Sequence, residues 1–236
     1  MSPLEAIARL GEGSSRGDSA DLLRGIHWLG HAGLLLEGSR TVYIDPFNLR
    51  AGLPKADLVL ITHPHYDHCS PRDVARILKK ETVIMAPEDA LAKMPPGPGE
   101  RIVAAPGKTA CWGGLQIAAL PAYSTTKPQH PKSKRWVGYM LRWEGRWIYH
   151  AGDGGAVPDC IPPRWLDAAF FPVDPVYNVE WSMTTAAARA LRPGVSVPIH
   201  FGSVCGLSAD AVRFIRECRE SKLWACMPPG MEAEGS

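Results

Sequence analysis

The run Leu58-Val59-Leu60-Ile61-Thr62-His63-Pro64-His65-Tyr66-Asp67-His68-Cys69-Ser70 constrains this chain more than any other segment. A strand-length apolar stretch ends in three histidines and an aspartate, and Ser70-Pro71 then opens a helix with a hydroxyl cap and a first-turn proline. Alternate side chains of extended backbone share a side, so His63 and His65 project together and can grip one ion. Asp67 and His68 fall where the chain turns into the helix and can reach a second position nearby. The plain alternative is a histidine-rich surface loop. Burying this many imidazole and carboxylate groups without a cation is costly, however, and metal binding through His63, His65, Asp67 and His68 is the expectation.

With this string the chain resembles the metallo-β-lactamase superfamily, whose His-x-His-x-Asp-His signature stands here at 63–68. Further matches occur in family order: Gly30-His31-Ala32-Gly33, Ile44-Asp45-Pro46-Phe47, Pro121-Ala122-Tyr123, His150-Ala151-Gly152-Asp153 and His200-Phe201-Gly202. More narrowly, the chain is similar to the branch of metal-dependent hydrolases within that fold. The resemblance implies a four-layer αββα sandwich with a parallel core and the site at one edge. It makes Asp153 the carboxylate that bridges two metals and His200 the last ligand of the second. It also gives Asp45 the task of holding a ligating histidine by its ring N–H, and His31 an outer position beside the site.

Three departures accompany these matches. Relatives carry a histidine after the Pro-Ala element, whereas Tyr123 stands here, and a phenol that keeps its proton to about pH 10 is a poor ligand. His130, seven residues further on, either completes the first site or donates a proton; an exposed loop histidine is the plainer reading. Gly154 replaces the threonine that usually comes after the bridging aspartate. Around Asp174–Trp181 the chain carries bulky residues of its own, which at a site mouth would shape the substrate.

Elsewhere the sequence is that of an ordinary globular protein. Hydrophobic residues make up 45% and charged residues 21% of 236 positions, and the formal charge of +2 offers no field to steer nucleic acid. No run approaches a membrane span, and Met1–Leu10 lacks the pattern of a secretory leader, so a cytoplasmic location is expected. The six cysteines are scattered singly, as buried thiols of a reducing compartment would be, with Cys69 singled out by its neighbour His68. Residues 1–19 read as a flexible start, 20–227 as one domain and 228–236 as a loose tail. Strand-like runs include Gly33–Glu37, Thr41–Ile44, Trp147–His150 and Val195–His200. Helices are expected at Pro71–Lys79, Ser182–Leu191 and Ser208–Ser221, the last capped by Ser208, and a hairpin at Glu144–Gly145. Patterning alone supports α/β or α+β layers.

The expected activity is metal-dependent hydrolysis of an ester, lactone, amide or phosphodiester in a small molecule. Two divalent ions, zinc first with manganese or iron compatible, would lower the pKa of a shared water toward about 7. Asp67 or His130 would then serve the leaving group. Two other readings stand beside it: a non-catalytic metal-binding protein of the same fold, and a di-iron redox protein.

Overall fold

The computed structural model describes residues 19–231 apart from 98, 155–165 and 179–180. Two six-stranded sheets account for the strands. The first runs β1 (Ile26–Gly30), β2 (Gly33–Glu37), β3 (Thr41–Ile44), β4 (Leu58–Leu60), β5 (Val83–Ala86), β6 (Arg101–Val103), in that spatial order. The second holds β7 (Thr109–Trp112), β8 (Leu115–Pro121), β9 (Val137–Trp143), β10 (Arg146–His150), β11 (Ala168–Pro172) and β12 (Val195–Ile199), neighbours in sequence again being neighbours in space. Each sheet starts as an antiparallel meander and finishes in parallel strands, β3 to β6 and β10 to β12. The expected parallel core is therefore only part of each sheet, because short hairpins close the early strands while the later ones need helical crossovers.

Burial explains the long apolar runs. Leu34 and Leu36 face the interior between the sheets with Ile44, Leu60, Tyr139, Phe170 and Val197, while Leu35 between them faces outward onto a second cluster. The short α1 (Ser19–Leu22) leads into β1 and adds Leu22 to the interior. The second cluster lies under α2 (Pro71–Ile77) and α3 (Glu88–Leu91), which supply Val74, Ile77 and Leu91. On the far side, Met140, Trp147 and Phe171 pack against Ala188 and Leu191 of α4 (Trp181–Leu191) and Phe214 and Cys218 of α5 (Ser208–Glu220). Both faces of both sheets are covered, which is the expected four-layer αββα arrangement, and each fully buried Leu, Ile or Phe stabilises it by about 1.5–3 kcal/mol.

Local signals read from sequence mostly hold. Glu144 and Gly145 both have positive φ, 48° and 78°, as a two-residue hairpin joining β9 to β10 requires. Ser70 Oγ caps α2 by accepting from Asp73 N. Ser208 does not cap α5: Leu207 occupies the cap position, and the Asp210 carboxylate accepts from Leu207 N at 2.7 Å, so the reciprocal half of a capping box replaces the hydroxyl. Residues 1–18 and 232–236 lie outside the described residues, while Pro229 O accepts from Trp28 N and so ties the chain's end region to β1. Among the described residues no helix is long and apolar enough to cross a membrane.

Candidate metal centre

The parallel strands of both sheets end at one rim, where ligands of α/β folds gather. β3 leads into Asp45, β4 into His63, β10 into Asp153 and β12 into His200, and the turn between β1 and β2 adds His31. His31, Asp45 and His200 all have positive φ (51°, 45° and 64°), so strand after strand turns sharply at this rim. Backbone bonds fasten the two sheets here: His200 N donates to His31 O at 2.8 Å, and Val137 N to Thr62 O at 3.1 Å. Buried Tyr139 directs its hydroxyl at the carbonyl oxygens of Ile61 and Met85 just below His63.

Two groups of donors share this rim. In the first, His63 Nε2 and His130 Nε2 lie 3.0 and 3.1 Å from His65 Nδ1, and Asp153 Oδ2 is 3.7 Å from His63 and 3.5 Å from His130. In the second, His200 Nε2 is 3.1 Å from His68 Nε2, while Asp67 Oδ2 sits 3.9 Å from each. Asp153 lies between the groups, with Oδ1 3.2 Å from His68 Nε2 and Oδ2 3.2 Å from His200 Nε2. Ligand atoms within each group fall inside 4.8 Å of one another.

The tautomers of these rings are legible from what their outer nitrogens touch. Thr62 Oγ1 donates to Asp45 Oδ2 at 2.6 Å and so accepts from His63 Nδ1–H at 2.9 Å. His68 Nδ1–H donates to the same carboxylate oxygen at 2.8 Å, and His130 Nδ1–H to Asp153 O at 3.2 Å. With their Nδ1–H groups turned outward, all three rings direct Nε2 inward; it is a bare lone pair on His63 and His130, while His68 Nε2 holds the proton that the flanking carboxylates favour until a cation displaces it. At His200, Asn178 Nδ2 lies 3.2 Å from Nδ1 while Asn178 Oδ1 is buried without a partner. Turning that amide about its last bond gives a His200 Nδ1–H its acceptor and frees Nε2 in the same way.

A cation fits this arrangement. His65 Nδ1 faces the two bare Nε2 atoms of His63 and His130 at 3.0 and 3.1 Å and carries at most one hydrogen, so at least one of these buried lone pairs lacks a full partner. Nitrogen and carboxylate oxygen donors suit zinc, manganese or iron. The electrostatics agree: burial pushes His63 well below the usual histidine range and His130 down to about 4, so both are neutral donors at pH 7. Burial opposes a charge on His68 too, but Asp153 and Asp45 overcome it and hold that ring well above the usual value. Against the opposing effect of burial, His200 and His68 keep the Asp153 carboxyl well below its ordinary range.

The structure thus brings His63, His65, Asp67, His68, Asp153 and His200 to one place, and His130 with them. The loop from Ser124 to His130 closes on itself, Ser124 N donating to His130 O at 2.8 Å, which returns a histidine seven residues late to the first group. Tyr123 is buried outside both groups, with the Lys132 ammonium 4.9 Å over its ring. Gly154 packs against that same element: a Cβ there would meet Ala122 Cα at 2.8 Å, so no threonine fits. His31 Nε2–H donates to Asp67 Oδ2 at 2.9 Å. His150 holds the rim from behind, donating from Nε2 to Ala32 O and accepting from Gly152 N.

Other contributors carry no signal in the sequence. Trp136 packs against His63, His65 and His130 with ring centroids 5.2, 4.9 and 5.6 Å away, anchored by Nε1–H donation to Asp89. Among the described cysteines the one at the site is Cys205, its Sγ 3.4 Å from His200 Nδ1, whereas Cys69 is buried toward Ala90 O and pushed up to about 12 by burial. A cavity of about 350 Å³ opens over the donors, and Tyr66, Gln129, Tyr177, Val204 and Cys205 line its outer part.

Comparison with known proteins agrees with this geometry. Residues 32–201 match the model of the beta-lactamase superfamily domain. A metal-dependent hydrolase of Methanoregula boonei is 33% identical over 198 residues, 79% of this chain and 86% of the relative. One from Thermoplasma acidophilum is 29% identical over 80% of this chain and 88% of its own. The crystal structure of a candidate metal-dependent hydrolase from Parabacteroides distasonis superposes with a TM-score of 0.75 at 30% identity, covering 86% of this chain and 91% of that one. Rim, donor sets and relatives together place the chain in the metallo-β-lactamase superfamily, within its branch of metal-dependent hydrolases.

Proposed function

We propose that the chain hydrolyses a small-molecule ester, lactone, amide or phosphodiester with two divalent cations, zinc first, held at the two donor groups. His63, His65 and His130 would hold one, Asp67, His68 and His200 the other, and Asp153 both. The observation that carries this reading is the set of inward Nε2 atoms on rings whose outer N–H groups are already taken. Cations so held supply Lewis acidity toward a substrate oxygen and lower the pKa of water toward about 7.

The chain's own residues supply the rest. Asp67 lines the cavity, and burial, which would protonate it, is outweighed by the His31 hydrogen bond and the His68 charge, so it is a carboxylate at neutral pH. Besides holding a cation, it would take a proton from attacking water and return it to the leaving group, while His31 fixes its direction. Asp45 and Thr62 hold His68 and His63 in their working tautomers.

Elemental analysis of protein purified without chelator, and then turnover of aryl esters, lactones and bis-aryl phosphodiesters, tests the proposal. Zinc or manganese with chelator-sensitive turnover is expected. Coloured iron protein without hydrolysis would favour the redox reading, and metal without any turnover the non-catalytic one.

A further inference from the structure

We infer that Tyr66, Tyr177 and Val204 form an apolar collar that selects a substrate whose outer end is a flat, uncharged apolar group, its polar reacting end directed down to the histidines. Binding at the collar is independent of the hydrolase reading; only the chemistry after binding rests on it.

Large apolar side chains are exposed together at the mouth: Tyr66 is 67% exposed, Tyr177 49% and Val204 37%. A grouped apolar rim around a concave site marks a binding surface rather than chance exposure. Tyr66 owes its place to the signature itself, since its neighbours His65 and Asp67 are held by the donor groups and leave it to face outward. Phe47 supports its ring edge-on at 6.0 Å. The backbone that carries Tyr177 is fixed: Val176 N and Tyr177 N donate to the two Asp174 carboxylate oxygens at 2.8 and 3.0 Å, and Lys127 Nζ donates to Pro175 O at 2.8 Å. A collar held this firmly loses little freedom when a ring enters it.

Charge narrows the class. Among the described residues the cavity lining contains no Lys or Arg, and the two acidic residues in it belong to the donor groups below the collar. An anionic group lying at the collar would meet tyrosine faces and no counter-charge, with Gln129 the one neutral amide on the wall. The volume of about 350 Å³ stands near the lower end of the roughly 300–1,000 Å³ typical of ligand pockets, enough for one ring with its reacting group.

The test is binding of benzamide to the metal-loaded full chain, read by ligand-observed NMR, beside 4-carbamoylbenzenesulfonate, which places a charge at the collar end. Saturable benzamide binding is expected, with the sulfonate at least tenfold weaker. Tyr66→Ala and Tyr177→Ala should each raise the benzamide Kd about tenfold, while Tyr66→Phe retains binding because the ring and not its hydroxyl does the work. Trp224→Ala, an exposed indole at the opposite end of β12, controls for general adsorption and should change nothing. Equal or tighter binding of the sulfonate, absent benzamide binding, or unchanged affinity in both Ala variants would overturn the collar. Benzamide binding without hydrolysis of any ester, lactone, amide or phosphodiester would sink the hydrolase reading and leave the collar standing, and hydrolysis of any of them indifferent to both tyrosines would do the reverse.

Discussion

His130 Nε2 stands 3.1 Å from His65 Nδ1, although 65 residues separate them in the chain. That contact places His130, and not Tyr123, with the first donor group. His130→Ala should therefore lower the bound metal by about one equivalent and abolish turnover, while Tyr123→Phe keeps both. Inductively coupled plasma mass spectrometry on the two variants checks this; metal loss in the phenylalanine variant alone would refute it.

Asp45 touches no cation in this scheme, yet it accepts from His68, from Thr62 Oγ1 and from Thr62 N at 2.8 Å. Asp45→Asn keeps the shape but turns one of its two accepting oxygens into an NH2, so His68 Nδ1–H and Thr62 N can no longer both be received. Loss of such a supporting group typically weakens metal affinity by about 10–100-fold. A chelator competition titration measures it, and wild-type affinity in this variant would remove Asp45 from the account.

Acid should affect the two donor groups differently. His63 and His130 have lowered pKa values, so a cation entering the first group displaces no proton at pH 7. His68 has a raised pKa, so in cation-free protein it carries a proton that binding must expel. The cation affinity of the second group should then fall about tenfold per pH unit below neutrality, one proton being displaced per cation. The first should hold until the pH nears the His130 value of about 4. Calorimetry in buffers of different ionisation enthalpy reads the released proton directly, and equal proton release for both ions would contradict this assignment.

Gly154 leaves no room for a side chain, Ala122 Cα and Cβ lying 2.8 and 2.9 Å from where its Cβ would be. Gly154→Thr should destabilise the protein by about 1–3 kcal/mol through overpacking. Ala122→Gly in the same chain should restore part of that loss. Thermal melts of the single and double variants decide it; simple additivity would mean the two positions are not in conflict.

Much of the fold and site was legible in sequence because it is local. The 63–68 string, the α2 cap and the Glu144–Gly145 hairpin each depend on a few neighbouring residues, and Asp153 and His200 became legible through their matching motifs. What depended on distant contact was not. The 124–130 loop had to be seen closing before His130 had a place, and His31 gave no sign of gripping Asp67 across 36 residues. Strands β6 and β7 are short and partly exposed, with burial that lacks the apolar run which betrays a covered strand. Ser208 looked like a cap because the carboxylate that caps α5 sits two residues further on. Tyr66 sits inside the signature, where nothing in its neighbours' pattern marks it as a wall of the cavity.

The donors at the rim come from both sheets, 63–68 from the first and 130, 153 and 200 from the second. During synthesis the earlier segment emerges long before its counterparts: the first donor group is whole only once residue 153 has left the ribosome, and the second only once residue 200 has. Capture of a second cation would thus report that translation has passed residue 200, and metal-dependent protection of a stalled chain from protease should rise in two steps, one after each point.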